Sequence, residues 1–153
     1  MSPLSENIQI IPLTPNQLDL LLYDISSLED ELKLDHSKEQ LSEEQWRALA
    51  LHYQLLQNSR NDSEWLTLFQ IVLKEENIPI GNICLTGGPD EKNVLYVTCF
   101  IYDEEKQSKK SEYLLETLKI LYRWAYEKAA VNRLVASCGN EMVVYNGEQH
   151  GLL

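Results

Sequence analysis

The sequence predicts an α+β layered fold, one sheet flanked by helices, and three observations lead there. Residues 14–58 carry apolar side chains at helical spacing, residues 65–101 change to the strand period, and residues 111–138 read as a long amphipathic helix followed by an apolar strand. At 153 residues the chain has the length of a single domain able to bury one sizeable core.

Taken in order, Ile8-Gln9-Ile10-Ile11 alternates briefly and meets Pro12, which suits a short strand near a sheet edge. Thr14 is placed to cap a helix, Pro15 fits its first position, and Gln17 completes a capping box. Leu18, Leu21, Leu22, Ile25, Leu28 and Leu32 then mark one apolar face. Ser42 and Gln45 repeat the capping logic, and Trp46, Leu49, Ala50, Tyr53 and Leu56 form the buried stripe of a further helix ending near Asn58. From Trp65 to Leu73 both alternating sets are largely apolar, as expected of a strand covered on both faces. Residues 78–85 return as its hairpin partner, Gly87-Gly88-Pro89-Asp90 turns the chain, and residues 94–101 form a third strand.

A charged loop follows (Asp103, Glu104, Glu105, Lys106, Lys109, Lys110), then a helix from about Ser111 to Lys128 with Leu114, Leu118, Leu121, Trp124 and Ala125 on one side. Arg133 to Cys138 is a strand beyond it. A strand, loop, helix and strand in this order put a row of backbone N–H groups at a helix N-terminus, a ready place for a phosphate-bearing cofactor. Residues 139–153 show little periodicity.

Hydrophobic residues at 44% and charged residues at 24% argue against disorder, whereas a net charge of −11 stands apart. Residues 1–65 hold 12 carboxylates against 4 Lys/Arg, so the acidity belongs mostly to the N-terminal half. Such a field disfavours nucleic acid and anionic membrane surfaces, and it suits a cationic partner such as an amine or a basic peptide; plain solubility is the alternative. Cys84, Cys99 and Cys138 lie in apolar strands without metal-ligand spacing and read as reduced core residues of a cytoplasmic protein. His36 and His52 have no third ligand nearby, so they read as solvent-facing or core-edge side chains and no metal is expected. The N-terminus lacks a signal peptide's basic and apolar regions, and no apolar run is long enough to span a membrane.

Residues 65–77 followed by Ile80-Gly81 resemble the opening hairpin of the GNAT-type N-acetyltransferases, where the second strand often reads I-G. Leu115-Glu116-Thr117-Leu118 through Leu121-Tyr122-Arg123-Trp124-Ala125-Tyr126 resembles that family's cofactor-side helix, and Val131-Asn132-Arg133-Leu134-Val135-Ala136 its N-R-I-V-A strand. The resemblance covers roughly residues 8–141. It implies a GNAT-like acyl-CoA N-acyltransferase fold with a central mixed, mostly antiparallel sheet, acetyl-CoA as co-substrate, and an amine of a small molecule, protein or peptide as acceptor. It places the cofactor's pyrophosphate on Lys109, Lys110, Ser111, Glu112 and Tyr113, with Asn140 at a position where the family commonly has an Asn. Tyr145 becomes a candidate general acid, and no base is assigned.

Three departures accompany the resemblance. The family's loop reads Q/R-x-x-G-x-G/A, yet this chain has no glycine between Gly88 and Gly139, and Glu112 adds like charge beside an anion. Residues 92–102 contain no carboxylate where the resembling branch frequently has its base. The two strands that close the family's sheet are not evident after about residue 141, which leaves an open edge and implies a homodimer. The readings are therefore an N-acetyltransferase, a catalytically silent binding or assembly module of the same fold, and, between them, a CoA-binding sensor.

Overall fold

The structure, a computed structural model, describes residues 7–35, 41–58, 63–101, 109–139 and 141–146. Its elements run β1 (Ile8–Pro12), α1 (Pro15–Tyr23), α2 (Ile25–Glu31), α3 (Glu43–Asn58), a 3-10 turn at Ser63–Leu66, β2 (Leu68–Leu73), β3 (Ile78–Leu85), β4 (Val94–Ile101), α4 (Lys110–Ala129), β5 (Arg133–Cys138) and β6 (Glu141–Asn146). The six strands form one sheet in sequence order, antiparallel throughout except for the parallel pair β4 and β5. The expected mixed, mostly antiparallel sheet flanked by helices is what the chain forms.

Local chemistry sets the helix starts. Thr14 Oγ1 accepts from Gln17 N at 3.1 Å while Gln17 Oε1 accepts from Thr14 N at 2.9 Å, and Ser42 and Gln45 make the same reciprocal pair at 3.1 and 3.0 Å. The apolar face from Leu18 to Leu32 is carried by two helices. Asp24 interrupts it, its Oδ1 accepting from Ser27 N and its Oδ2 from Ser27 Oγ, so that α2 starts with a new cap. The strand expected from Trp65 begins three residues later, because Ser63–Leu66 is wound into the 3-10 turn and Thr67 Oγ1 donates to Glu64 O.

Each face of the sheet has its own core. Helix α4 covers one face, where Leu114, Leu118, Leu121 and Ala125 pack on Ile83, Val97, Leu134 and Ala136. Trp124 joins this layer edge-on to Trp65 and Phe69, with ring centroids 5.5 and 5.7 Å away. The other face is covered by α1–α3, with Leu18, Leu21, Leu28 and Leu49 against Leu68 and Cys84. Strand β2, enclosed by both layers, is buried along its whole length, as its two apolar sets predict.

The C-terminal region differs from the sequence reading. Residues 141–146 form a strand, β6, paired antiparallel with β5 from Cys138↔Glu141 to Arg133↔Asn146. Gly139, at φ 63, supplies the left-handed residue of the two-residue connection. One closing strand is therefore present, and β6 rather than β5 ends the sheet among the described residues.

Candidate functional site

Strands β4 and β5 are tied at one end, and β4 outruns β5 at the other. At the tied end Asn132 N donates to Asn93 O at 2.9 Å and Asn132 Nδ2 to Lys92 O at 3.3 Å. Pairing then runs from Val94↔Arg133 to Thr98↔Ser137; β5 ends one residue later at Cys138 while β4 continues to Ile101, and this step in the sheet is the fork. Because the two strands are parallel, α4 between them runs antiparallel to both, and its N-terminus lies at the end where β4 outruns β5. A fork in the sheet thus meets a helix N-terminus. Lys109 caps α4 with no side-chain hydrogen bond, so the N-cap side chain leaves the first-turn N–H groups available.

A groove of about 140 Å³ opens beside the fork on the α1–α3 face. Leu51 and His52 of α3 form one wall, and Cys84 of β3 with Thr98 and Phe100 of β4 form the floor. Thr98 is also the last β4 residue paired with β5, which puts the groove and the fork at one point. Two other hollows, one lined by Tyr122, Arg123, Tyr126 and Glu127 and one between α1, α2, Leu41 and Trp46, include no residue of β4 or β5.

His52 is the basic group among the described residues lining this groove, and it is buried rather than at the core edge. Its Nε2 is hydrogen-bonded to the Leu66 carbonyl, which can only accept, so Nε2 carries the proton and Nδ1 keeps a lone pair. Burial holds the imidazole below the usual histidine range, and the Leu66 hydrogen bond offsets this only in part. At neutral pH His52 is an uncharged base. Its signal was present in the sequence, since position 52 lies three residues after Leu49 and four before Leu56 on the buried stripe of α3. Cys84, on the groove floor, is pushed up by burial to about 12 and is a thiol at neutral pH.

The residues expected to hold a cofactor fall into three groups. Lys109, Ser111 and Glu112 are exposed around the start of α4, and Lys110 is its first residue. Tyr113 turns its side chain into the α4 core, where it is 7% exposed, so its backbone N–H is what it can offer there. Asn140 and residues 102–108 of the charged loop lie outside the described residues.

Tyr145 is on β6 opposite Leu134, three residues along β5 from Ser137, a separation of roughly 10 Å at strand rise. Its ring is buried against Tyr122, with centroids 5.4 Å apart, and burial together with Tyr122 pushes its hydroxyl to about 12. The structure does not bring Tyr145 to the fork. The general-acid role expected of it has no geometric support, because the residue lies on a strand and within the core.

No protein-family model matches the chain, and no curated protein matches it in sequence. Solved structures do match in shape. The acetyltransferase from Salmonella typhimurium that modifies the N-terminal serine of the 50S ribosomal subunit protein L7/L12 is 16% identical, covers 88% of this chain and 72% of its own, and superposes with a TM-score of 0.51. A ribosomal L7/L12 alpha-N-protein acetyltransferase in complex with coenzyme A is 14% identical over 98% of this chain and 78% of its own, also at 0.51. Its apo form gives 0.50 at 14% identity, covering 98% of this chain and 75% of its own. The chain therefore has the fold of the GNAT-type N-acetyltransferases.

Proposed function

We propose that this protein is an acetyl-CoA-dependent N-acetyltransferase acting on the amine of a small molecule, a peptide or a protein. The observation that carries the reading is three features at the same end of β4: the β4–β5 fork, the N-terminus of α4, whose N-cap makes no side-chain hydrogen bond, and the groove containing a neutral buried imidazole. The likeness to enzymes that acetylate a ribosomal protein's N-terminus supports a protein or peptide amine as one form of acceptor.

The anionic pyrophosphate would rest on the first-turn N–H groups of α4, from Lys110 to Tyr113, with Lys109 and Lys110 supplying positive charge in the sequence there. Glu112 opposes this placement, so the affinity is set by two lysines and a helix terminus against one carboxylate. The acceptor amine, uncharged when it reacts, attacks the thioester carbonyl. The new C–N bond forms, the C–S bond breaks, the thiolate leaves, and the amine's surplus proton passes to Nδ1 of His52 directly or through water. The reading places the protein in the cytoplasm as a single domain over 1–153, and pairs two copies along β6, the strand that ends the sheet among the described residues.

A silent module of the same fold is the second reading, favoured by the glycine-free loop and by Tyr145 lying in the core. Calorimetric titration with acetyl-CoA separates the two. Binding that weakens about tenfold when Lys109 and Lys110 are both replaced by Ala supports the pyrophosphate placement and removes the silent module, and turnover of an amine then separates the enzyme from the sensor. No heat at millimolar acetyl-CoA removes it together with the sensor, and unchanged affinity in the double variant overturns the pyrophosphate placement.

A further inference from the structure

Asn82 lies on β3 directly opposite Gln70 of β2 and Phe100 of β4. Opposed residues share a face, and Cys84, two positions along, packs with the leucines of α1, so Asn82 points to the α1–α3 side. Its side chain is fully buried, and neither Oδ1 nor Nδ2 has a hydrogen-bond partner among the described residues. Gln70 beside it is different, its Nε2 donating to Gly81 O at 2.8 Å.

A carboxamide carries two N–H donors and an oxygen acceptor, and in a dry interior each unmade bond is costly. A leucine would fill the same volume without that cost. The polar group therefore calls for a partner beyond the described residues. Its location says from where: Cys84 and Phe100, its neighbours along and across the strands, form part of the groove floor beside the fork. Asn82 is the next position inward.

We propose that Asn82 anchors the acceptor, and that the acceptor class is a primary amine next to a carbonyl, as in an amino-acid amide or a peptide N-terminus. Nδ2 donates to the ligand's carbonyl and Oδ1 accepts from its amine. Phe100, half-buried on the groove floor, turns to admit the ligand, a rotamer change rather than a movement of the strand. The acceptor class rests on the enzyme reading above, whereas the amide anchor is tested without CoA.

The probe is glycinamide, the smallest molecule with both groups, titrated to tens of millimolar while the Asn82 side-chain NH2 signals are followed by ¹H–¹⁵N NMR. Their absence in Asn82→Leu assigns them. The expected result is a saturable shift of that pair, binding about tenfold or more weaker in Asn82→Leu, and a Tm of that variant no lower than wild type. An unmoved pair, or equal binding by the variant, overturns the proposal. So does a lowered Tm with binding retained, which marks a buried structural water as the amide's partner. Asn82→Ser is read by the same criteria should Asn82→Leu not fold. Glycinamide binding without acetyl-CoA binding removes the enzyme reading and leaves the Asn82 site standing.

Discussion

Gly81→Ala tests whether the close approach of β3 to the end of β4 leaves no room for a side chain. A Cβ at residue 81 would lie 2.0 Å from the Phe100 carbonyl oxygen, 3.0 Å from its carbon and 3.1 Å from Ile101 Cα, all backbone atoms. No rotamer relieves this, so the strands must separate locally by roughly 1 Å or more, in an interior that packs like a crystal. Such overpacking costs about 1–3 kcal/mol, and the pairs Gly81↔Ile101 and Asn82↔Phe100 risk one or two ladder hydrogen bonds at ~1 kcal/mol each. The sum is about 3 kcal/mol, a fall in Tm of ~10 °C for a chain of this size. Thermal melts followed by circular dichroism measure it. Gly88→Ala is the control, since a Cβ there meets the Trp65 ring at an ordinary 3.5 Å. A Gly81→Ala melt within ~2 °C of wild type would refute the reasoning, because the clash is with backbone and a real one must appear as lost stability.

Ala130 ends α4 in the left-handed conformation at φ 54, so Ala130→Gly should raise the Tm by ~2–4 °C, and a lower Tm would show that the unfolded-state entropy of glycine outweighs the relief. His52 has its folded pKa below its unfolded one, so the unfolded chain binds more protons, and stability falls as the pH drops below about 6.5 until the folded pKa is passed. Its share of the slope is at most about 1.4 kcal/mol per pH unit, and His52→Gln should flatten urea-melt stability between about pH 7.5 and 5.5; an unchanged slope assigns that window to other groups. Net charge −11 draws cations, so raising salt from about 0.05 to 0.3 M should weaken glycinamide binding but not that of neutral acetamide, and equal responses would discount charge as a source of affinity.

Most of the fold could be read from local patterns because its elements are locally specified. The bounds of β4 and β5 agree with the sequence reading residue for residue, each being a run of apolar and β-branched side chains closed by turn residues. Both N-terminal capping boxes formed as expected, since a cap depends on residues three apart. Strand β6 escaped because it is an edge: Met142 and Val144 are exposed at 68% and 53% and only Tyr145 is buried, so burial imposes little alternation on its sequence. The clue available was Gly139-Asn140, a two-residue hairpin connection between Cys138 and Glu141. His52 was missed for another reason, the apolar stripe of α3 having been counted in apolar residues alone. The state of Asn82 was not legible at all: alternation gives the face a strand residue occupies, but whether its amide finds a partner depends on three strands meeting.

The two faces of the sheet are unequal in a way that bears on chemistry. On the α4 side the apolar side chains of β2 through β6 meet one long helix, Trp124 closes against Trp65 and Phe69, and Lys128 spans the seam with a 2.8 Å ion pair to Glu64. That side is closed. On the other, α1–α3 cover β2 and β3, while Tyr96, Met142 and Val144 of β4 and β6 remain exposed on that same face. The 12 carboxylates of residues 1–65 belong to the segment that supplies those three helices, whereas residues 66–153 are nearly balanced at 12 acids to 9 bases. On the proposed reading a cationic acceptor would be drawn toward the helical layer that carries His52, and an anionic cofactor would meet the less acidic half of the chain at the start of α4. The acceptor amine must shed its charge to react, and a neutral imidazole in the groove wall is suited to take that proton, which a surface carboxylate with an ordinary pKa is not. The missing glycines and the missing β4 carboxylate then have separate consequences. On the proposed reading the first would weaken cofactor binding without touching proton transfer, and for the second His52, on a different element, would serve as the base.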